Sequence, residues 1–326
     1  MLSRVAESLY WLSRYLERAE HTARLIDVHL TQMLDQAGRD ANLRWQRLLR
    51  SLRAAEPAEE ADAYSVTRSL TFDEANTSSI VSCIASAREN ARQVREQISS
   101  EMWVQLNRLF LQVKQTSMEQ IWHAEPHKFL NSVKEETYLF QGITDATMSH
   151  SEGWHFIRVG RFLERTTATA ALLDTHFSVF LTEQTGYESE PLDYLSWVEL
   201  LRSCASFEAY CKVYTAALRP ARIAEFLLLN AEAPRSIRFA SAMMQGALQA
   251  IAKSTGVRNP GRAERLAGRL RAMLDYDQIE EILSGDMHAY LESIQHQCAL
   301  IHNGIYQAYI VYPIEIALIS RGAAQA

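Results

Sequence analysis

Apolar residues recur along the start of the chain at alternating steps of four and three: Val5, Leu9, Leu12, Leu16, Ala19, Ala23, Ile26 and Leu30. That spacing places them on one stripe of an α-helix and predicts a helix over residues 3–36. A second stripe, Trp11, Tyr15, Arg18, Thr22, Leu25 and His29, lies about 100° round the same helix. A helix with two such stripes is packed on more than one side and belongs at the centre of a bundle. Helical periodicity continues over residues 41–54, 76–99, 100–116, 126–146, 192–217, 236–255, 262–274 and 284–310. No segment alternates with period two for long enough to make a strand. Breaks fall at the acidic stretch 56–63 and at 254–262, where Asn259-Pro260-Gly261 is a strong turn signal.

The opening pattern returns near residue 160. Residues 14–29 (RYLERAEHTARLIDVH) align without gaps to residues 161–176 (RFLERTTATAALLDTH), with nine of sixteen positions identical. Composition alone gives about one match. Further matches follow in the same order: residues 45–51 with 197–203, Asp73, Ser79 and Ile80 with Asn230, Ser236 and Ile237, and residues 129–133 with 290–294. The order and slow drift predict a tandem duplication, with units at 1–147 and 148–326. The expected fold is an all-α helical bundle in which two diverged multi-helix units pair about a pseudo-two-fold axis, the two best-preserved helices side by side on it.

Composition agrees with this picture. Only 12 glycines and 7 prolines occur in 326 residues, too few for the frequent turns of a sheet-rich fold. A net charge of −6 argues against non-specific nucleic-acid binding, which needs basic surface. Cys83, Cys204, Cys211 and Cys298 form no C-x-x-C pair and no disulfide framework, and read as buried free thiols of a reducing compartment. Arg4 and Glu7 interrupt the N-terminus before a signal-peptide core develops. The least polar stretch, 308–320, contains Pro313 and Glu315 and is too short to span a bilayer. A cytoplasmic protein without a membrane anchor is expected.

Two polar constellations stand out. The repeated R-x-x-E-R gives Arg14, Glu17 and Arg18, and again Arg161, Glu164 and Arg165; His29 and His176 also sit in the aligned stripe. Arg14 and Glu17 share a helix face and can pair locally. Across the axis, Glu17 can meet Arg165 and Glu164 can meet Arg18. Two readings stand: a buried ion network that fixes the register of the halves, or a polar cavity for a small anionic or amino-acid-like ligand. The second constellation is Arg88, Arg92 and Arg95 at i, i+4 and i+7, with Asn90 in the same segment. Its aligned positions are Gln245, Gln249 and Ala252, while the second half carries Arg235 and Arg238 where the first has Ser78 and Val81. Arginines in line can clamp carboxylates or phosphates; the alternative is a solvated, salt-bridged face.

Catalytic and metal signatures are absent. His123 and His127 are separated by Pro126, which starts a helix between them, and His150 and His155 flank Trp154 without ligand spacing. There is no Gly-rich phosphate loop, no G-x-S-x-G and no paired Glu-x-x-His set. No cofactor is expected.

The motif over residues 2–24 (LSRVAESLYWLSRYLERAEHTAR) resembles the hallmark of the bacterial alpha-E domain family, as do residues 86–103 (SARENARQVREQISSEMW), 234–239 (PRSIRF) and the second Leu163-Glu164-Arg165. The motifs span nearly the whole chain. The resemblance implies an all-helical domain encoded beside, or fused to, a circularly permuted ATP-grasp protein and a transglutaminase-like peptidase. It thereby implies a non-catalytic accessory or interaction role in ATP-dependent amide or peptide ligation, with an ATP-grasp amidoligase-like protein as partner, reached in trans. The alternative is a helical enzyme or small-ligand binder that uses the duplicated Arg-Glu-Arg cluster.

Overall fold

In a computed structural model, described for residues 1, 3–35, 41–55, 61–123, 125–183, 191–215, 217–255 and 261–311, the chain is all-helical, with no strand among the described residues. The first helices are α1 (Ser3–Asp35), α2 (Ala41–Ser51), α3 (Ala63–Thr71), α4 (Ile80–Gln93), α5 (Ser100–Lys114), α6 (Met118–His123) and α7 (Pro126–Thr147). Then come α8 (Glu152–Glu183), α9 (Pro191–Ser203), α10 (Phe207–Tyr214), α11 (Pro220–Leu229), α12 (Ile237–Ser254), α13 (Arg262–Tyr276), α14 (Ile279–Ser284) and α15 (Met287–Ile305). Most of the predicted stop at 56–63, and Asn259-Pro260 of the predicted turn, lie outside the described residues, as does the chain beyond Val311.

α1 and α8 form the central pair. α4 and α7 flank α1, while α12 and α15 flank α8; α5 closes the first set and α13 the second. α2 packs on α8 and α9 on α1, so the two sides are laced together. Both stripes of α1 are used: Leu9, Leu12, Leu16, Ala19, Ala23 and Ile26 are buried, and so are Thr22, Leu25 and His29. One hydrophobic core runs through residues of both halves of the chain.

Local chemistry sets several boundaries. Ser79 caps α4 by accepting from the Ser82 amide, and the aligned Ser236 caps α12 by accepting from the Phe239 amide. α4 therefore starts later than the periodicity of 76–99 predicts. It also ends earlier: Arg95–Gln97 form a 3-10 turn, so Arg95 does not continue the helical stripe of Arg88 and Arg92. The helix expected over 192–217 is two helices, because Ala205 adopts φ 46 and the chain turns back on itself there. The short helices α3, α6, α11 and α14 have too few turns to leave a periodic signature.

Gly160 sets the closeness of the central pair. A Cβ there would overlap the Tyr10 carbonyl oxygen and Ser13 Oγ. Contacts ascend together along both helices, Leu9 beside Gly153, Tyr10 and Ser13 beside Gly160, Arg18 beside Glu164, so α1 and α8 run parallel. Gly160→Val should lower the melting temperature, with a destabilisation of about 1–3 kcal/mol or more from overpacking. Calorimetry on the variant checks this, and an unchanged transition would mean that the backbones are not in contact.

Candidate functional site

The centre of the molecule is an ion network on the seam between α1 and α8. Arg165 donates through Nε and Nη2 to both oxygens of Glu17, at 2.7 and 3.0 Å. Glu164 accepts from Arg18 Nε and Arg14 Nε, both at 2.7 Å. Each helix thus gives its glutamate to the other's arginines, and Arg14 bonds across the seam rather than to its near neighbour Glu17. Arg14 also donates to the Tyr10 hydroxyl at 3.1 Å and reaches His302 Nδ1 of α15 at 3.2 Å. Arg18 extends to Ser78 Oγ at 3.5 Å.

Arg235 belongs here too, which corrects its grouping with the surface arginines. It is buried, donating to Glu17 at 3.1 Å and to Glu20 at 2.6 Å. Glu20 is also held by Arg24 and by the Tyr138 hydroxyl of α7. Arg238, likewise grouped with the surface set, pairs with Asp275 at 2.8 Å and donates to the Leu229 carbonyl. Asn90 is spent on the Ser86 carbonyl of its own helix.

Burial and charge act against each other in this network, and charge wins at the acids. Burial raises the carboxyls of Glu17 and Glu164, but Arg165 and Arg235 at the first, and Arg14 and Arg18 at the second, hold both well below the usual range. Burial also lowers the bases that lack an acid. His21 is pushed down to about 4, with the Arg235 charge adding to the effect, and His302 to about 4 beside Arg14. Arg161 falls to about 10 through burial and the nearby Arg165 charge.

The aligned histidines sit lower on the seam in unlike surroundings. His29 donates from Nδ1 to the Leu25 carbonyl and pairs through Nε2 with Glu199 of α9 at 2.9 Å. Burial opposes the resulting charge, yet the glutamate raises the His29 pKa, and Glu199 itself is held at about 2 despite burial. His176 bonds the Ser196 hydroxyl, at 2.9 Å, and burial pushes it down to about 4. Each packs its ring against a tryptophan, Trp45 and Trp197 respectively. His127, considered as a metal ligand, instead bonds Asp27 at 2.7 Å, and His150 stacks on Trp154. No group of three or more potential metal ligands occurs among the described residues.

The surface arginines form a second site. Arg88 donates to Asn107 at 2.8 Å and lies over the Phe110 and Trp103 rings of α5. Arg95, from the 3-10 turn, reaches the same Trp103 ring. Arg92 is neutralised by Glu89 on its own helix. Beside this cluster an open groove along α5 is lined by Trp103, Val104, Asn107, Arg108 and Leu111, with Val104 63% and Leu111 44% exposed.

Glu20, His21, Arg24, Tyr10, Tyr138, His302 and Glu199 are the polar residues of these sites that sequence reasoning missed. Glu20 and Arg24 carry a signal, an i, i+4 acid–base pair inside an otherwise apolar helix. The partners on α7, α9 and α15 carry none, because nothing local ties them to the seam.

The sequence model of the Alpha-E family, described as "a predicted alpha-helical domain with a conserved ER motif", matches residues 1–310. The Glu-Arg dipeptides 17–18 and 164–165 are the ones that exchange partners across the seam. The chain is similar to uncharacterised proteins of Mycobacterium bovis and Mycobacterium tuberculosis, 26% identical over 316 residues in each case. The match covers 89% of this chain and 34% of theirs, so the chain spans about one third of their length. No solved structure matches.

Glu17→Gln should cost about 3–5 kcal/mol, because it leaves Arg165 buried without its acid and Arg235 with Glu20 alone. Denaturation of the variant checks this; stability close to wild type would mean that the network is not structural. Acid should destabilise the protein in two stages. Histidines with depressed folded values (His21, His176, His302) contribute stability above the unfolded value of about 6.5 and lose it as pH falls toward about 4. Acids with depressed values (Glu17, Glu164, Glu199) contribute above the unfolded value of about 4.3 and lose it below. His29, raised, opposes the first stage. The melting temperature should therefore fall from about pH 7 downward, and a flat profile to about pH 4.5 would contradict the assignment.

Proposed function

We propose that the chain, which belongs to the Alpha-E family, is a non-catalytic accessory subunit of an ATP-grasp amidoligase system, gripping the enzyme or its peptide substrate through the α4–α5 face. The observation that carries this reading is the exposed pair Val104 and Leu111 beside Trp103, under two stacked arginines. Apolar side chains held in water next to Trp and Arg have the composition of an interaction hot spot. Arg88 and Arg95 form no ion pair among the described residues, whereas Arg92 does, so the face selects a partner segment that carries acidic groups beside apolar ones.

The central network is the weaker candidate for function. Every oxygen of Glu17, Glu20 and Glu164 is already bonded within the protein, which leaves no carboxylate free to act as a base. No described helix is long and apolar enough to cross a membrane, in keeping with a cytoplasmic role beside such an enzyme. In the mycobacterial relatives the matched region is one part of a longer chain, which suits a module that works with other domains. A transglutaminase-like peptidase is the second candidate partner.

The reading includes an origin by duplication, with units 1–147 and 148–326 about a pseudo-two-fold axis. The helices of the two halves follow in similar order and length, apart from the extra α10. Aligned residues also repeat their partnerships: Asp27 with His127 at 2.7 Å, and Asp174 with His288 at 2.6 Å.

Co-expression with an ATP-grasp amidoligase-like protein from the same genome, followed by size exclusion with light scattering and an ATP-turnover assay, tests the role. A stable complex with altered turnover is expected. Arg88→Glu with Arg95→Glu, or Val104→Glu alone, should weaken association at least about tenfold, while Arg92→Glu should not. No complex and no effect on turnover would end the accessory reading. A complex indifferent to these variants would move the docking face elsewhere.

A further inference from the structure

The seam between α1 and α8 holds more positive charge than its acids can match. Arg14, Arg18, Arg24, Arg165 and Arg235 all bond one or more of Glu17, Glu20 and Glu164. Arg161 bonds none of them, and its Nε is buried without a hydrogen-bond partner. One turn earlier on α8, Arg158 donates to the Met243 sulfur, at 3.1 Å, and likewise bonds no carboxylate among the described residues. Asp145, the acid whose charge acts on both guanidinium groups, accepts at Oδ1 from the Trp154 indole N–H at 3.0 Å and bonds neither arginine.

Comparison with the aligned position explains why Arg161 is left over. Arg14 finds Glu164, the Tyr10 hydroxyl and His302. On the other side Glu17 is the corresponding acid, but Arg165 takes both its oxygens and Arg235 takes one again. The first half has Ser78 where Arg235 stands, and Ile157 aligns with Tyr10. The second half therefore has an extra cation and lacks a hydroxyl at these positions, and both differences leave Arg161 without the partners that Arg14 has. Two further buried nitrogens without partners, His21 Nε2 and Arg24 Nε, lie on the same network, each beside Arg235.

What surrounds the two arginines is aromatic. Arg158 lies 4.6 Å over the Trp154 ring, Arg161 4.6 Å over Phe162, and Phe162 meets Phe239 edge to face. Stacking fixes the planes of the guanidinium groups but does not neutralise them. Two oriented guanidinium groups, half-buried, one helical turn apart and without a bonded acid among the described residues, match the fork geometry that binds an oxyanion. We propose that Arg158 and Arg161 form a binding site for an oxyanion, the carboxylate or phosphate group of a small ligand whose apolar part rests on the Trp154–Phe162 wall. The site is independent of the α4–α5 docking face and stands or falls without it.

Calorimetric titration of the full chain in low-chloride buffer, with inorganic phosphate in one arm and glutamate in the other, tests the proposal. Saturable binding of phosphate alone assigns a phosphate group, of glutamate alone a carboxylate, and of both a general oxyanion site. Arg161→Met and Arg158→Gln should each weaken that binding at least about tenfold while leaving helicity unchanged. Arg161→Met should also raise the melting temperature in anion-free buffer, since it removes a buried charge that has no counterion. A structural arginine would do the reverse. Absence of saturable binding in both arms up to about 10 mM, or binding that both variants leave unchanged, overturns the proposal.

Discussion

Glu17 and Glu164 lie buried on the inner faces of two helices that touch backbone to backbone. An ionised carboxylate in that position is tolerated only with hydrogen-bonded cations around it. Each glutamate finds those cations on the opposite helix, so neither α1 nor α8 can satisfy its own acid alone. The exchange ties the parallel register of the pair, because a slip of one turn would part Arg165 from Glu17. It also dictates the surrounding fold. The loop before α12 must deliver Arg235, α7 must deliver Tyr138 and α15 must deliver His302, each to a stated level of the seam.

The network does not treat its two sides alike. On one side two arginines share one glutamate, and a tyrosine and a histidine complete the shell. On the other, an additional arginine bridges Glu17 and Glu20 and displaces Arg161 from any acid. Buried ion pairs of the first kind are weak evidence for function, since a register device explains them completely. An uncompensated cation is different. It costs stability in the absence of a ligand and offers nothing to the packing that a neutral side chain would not supply.

Much of this was legible in the sequence. The double stripe on residues 3–36 marks α1 as central, and the repeated R-x-x-E-R contains the residues that cross-pair. The cysteines stand as free thiols among the described residues. The partners from other helices were not legible, because periodicity reports which face of a helix is buried but not what it is buried against. Arg235 shows the limit well. Its neighbours in sequence, Pro234, Ser236 and Arg238, read as a capped helix start with exposed charge. Only the placement of α12 against α8 turns the side chain inward onto Glu17. The α4 stripe failed for the opposite reason: helical spacing was extrapolated past Gln93, where the chain leaves the helix, and Arg95 reaches Trp103 from a 3-10 turn instead.

Where aligned positions of the two halves hold the same residue, one architectural reason suffices for both. Glu17 and Glu164, Trp45 and Trp197, Ser79 and Ser236 each do matching work in packing or capping. Positions that differ need a separate reason. Arg88 and Arg95 stand on half-buried aromatic rings where the other half has Gln245 and Ala252, and Arg161 carries its charge without the partners that Arg14 has. Packing energy does not account for either departure, since a glutamine or an alanine fills the first position and a methionine would fill the second at lower electrostatic cost. The positions that differ, more than the repeated motif, are therefore where binding chemistry is to be sought in this fold.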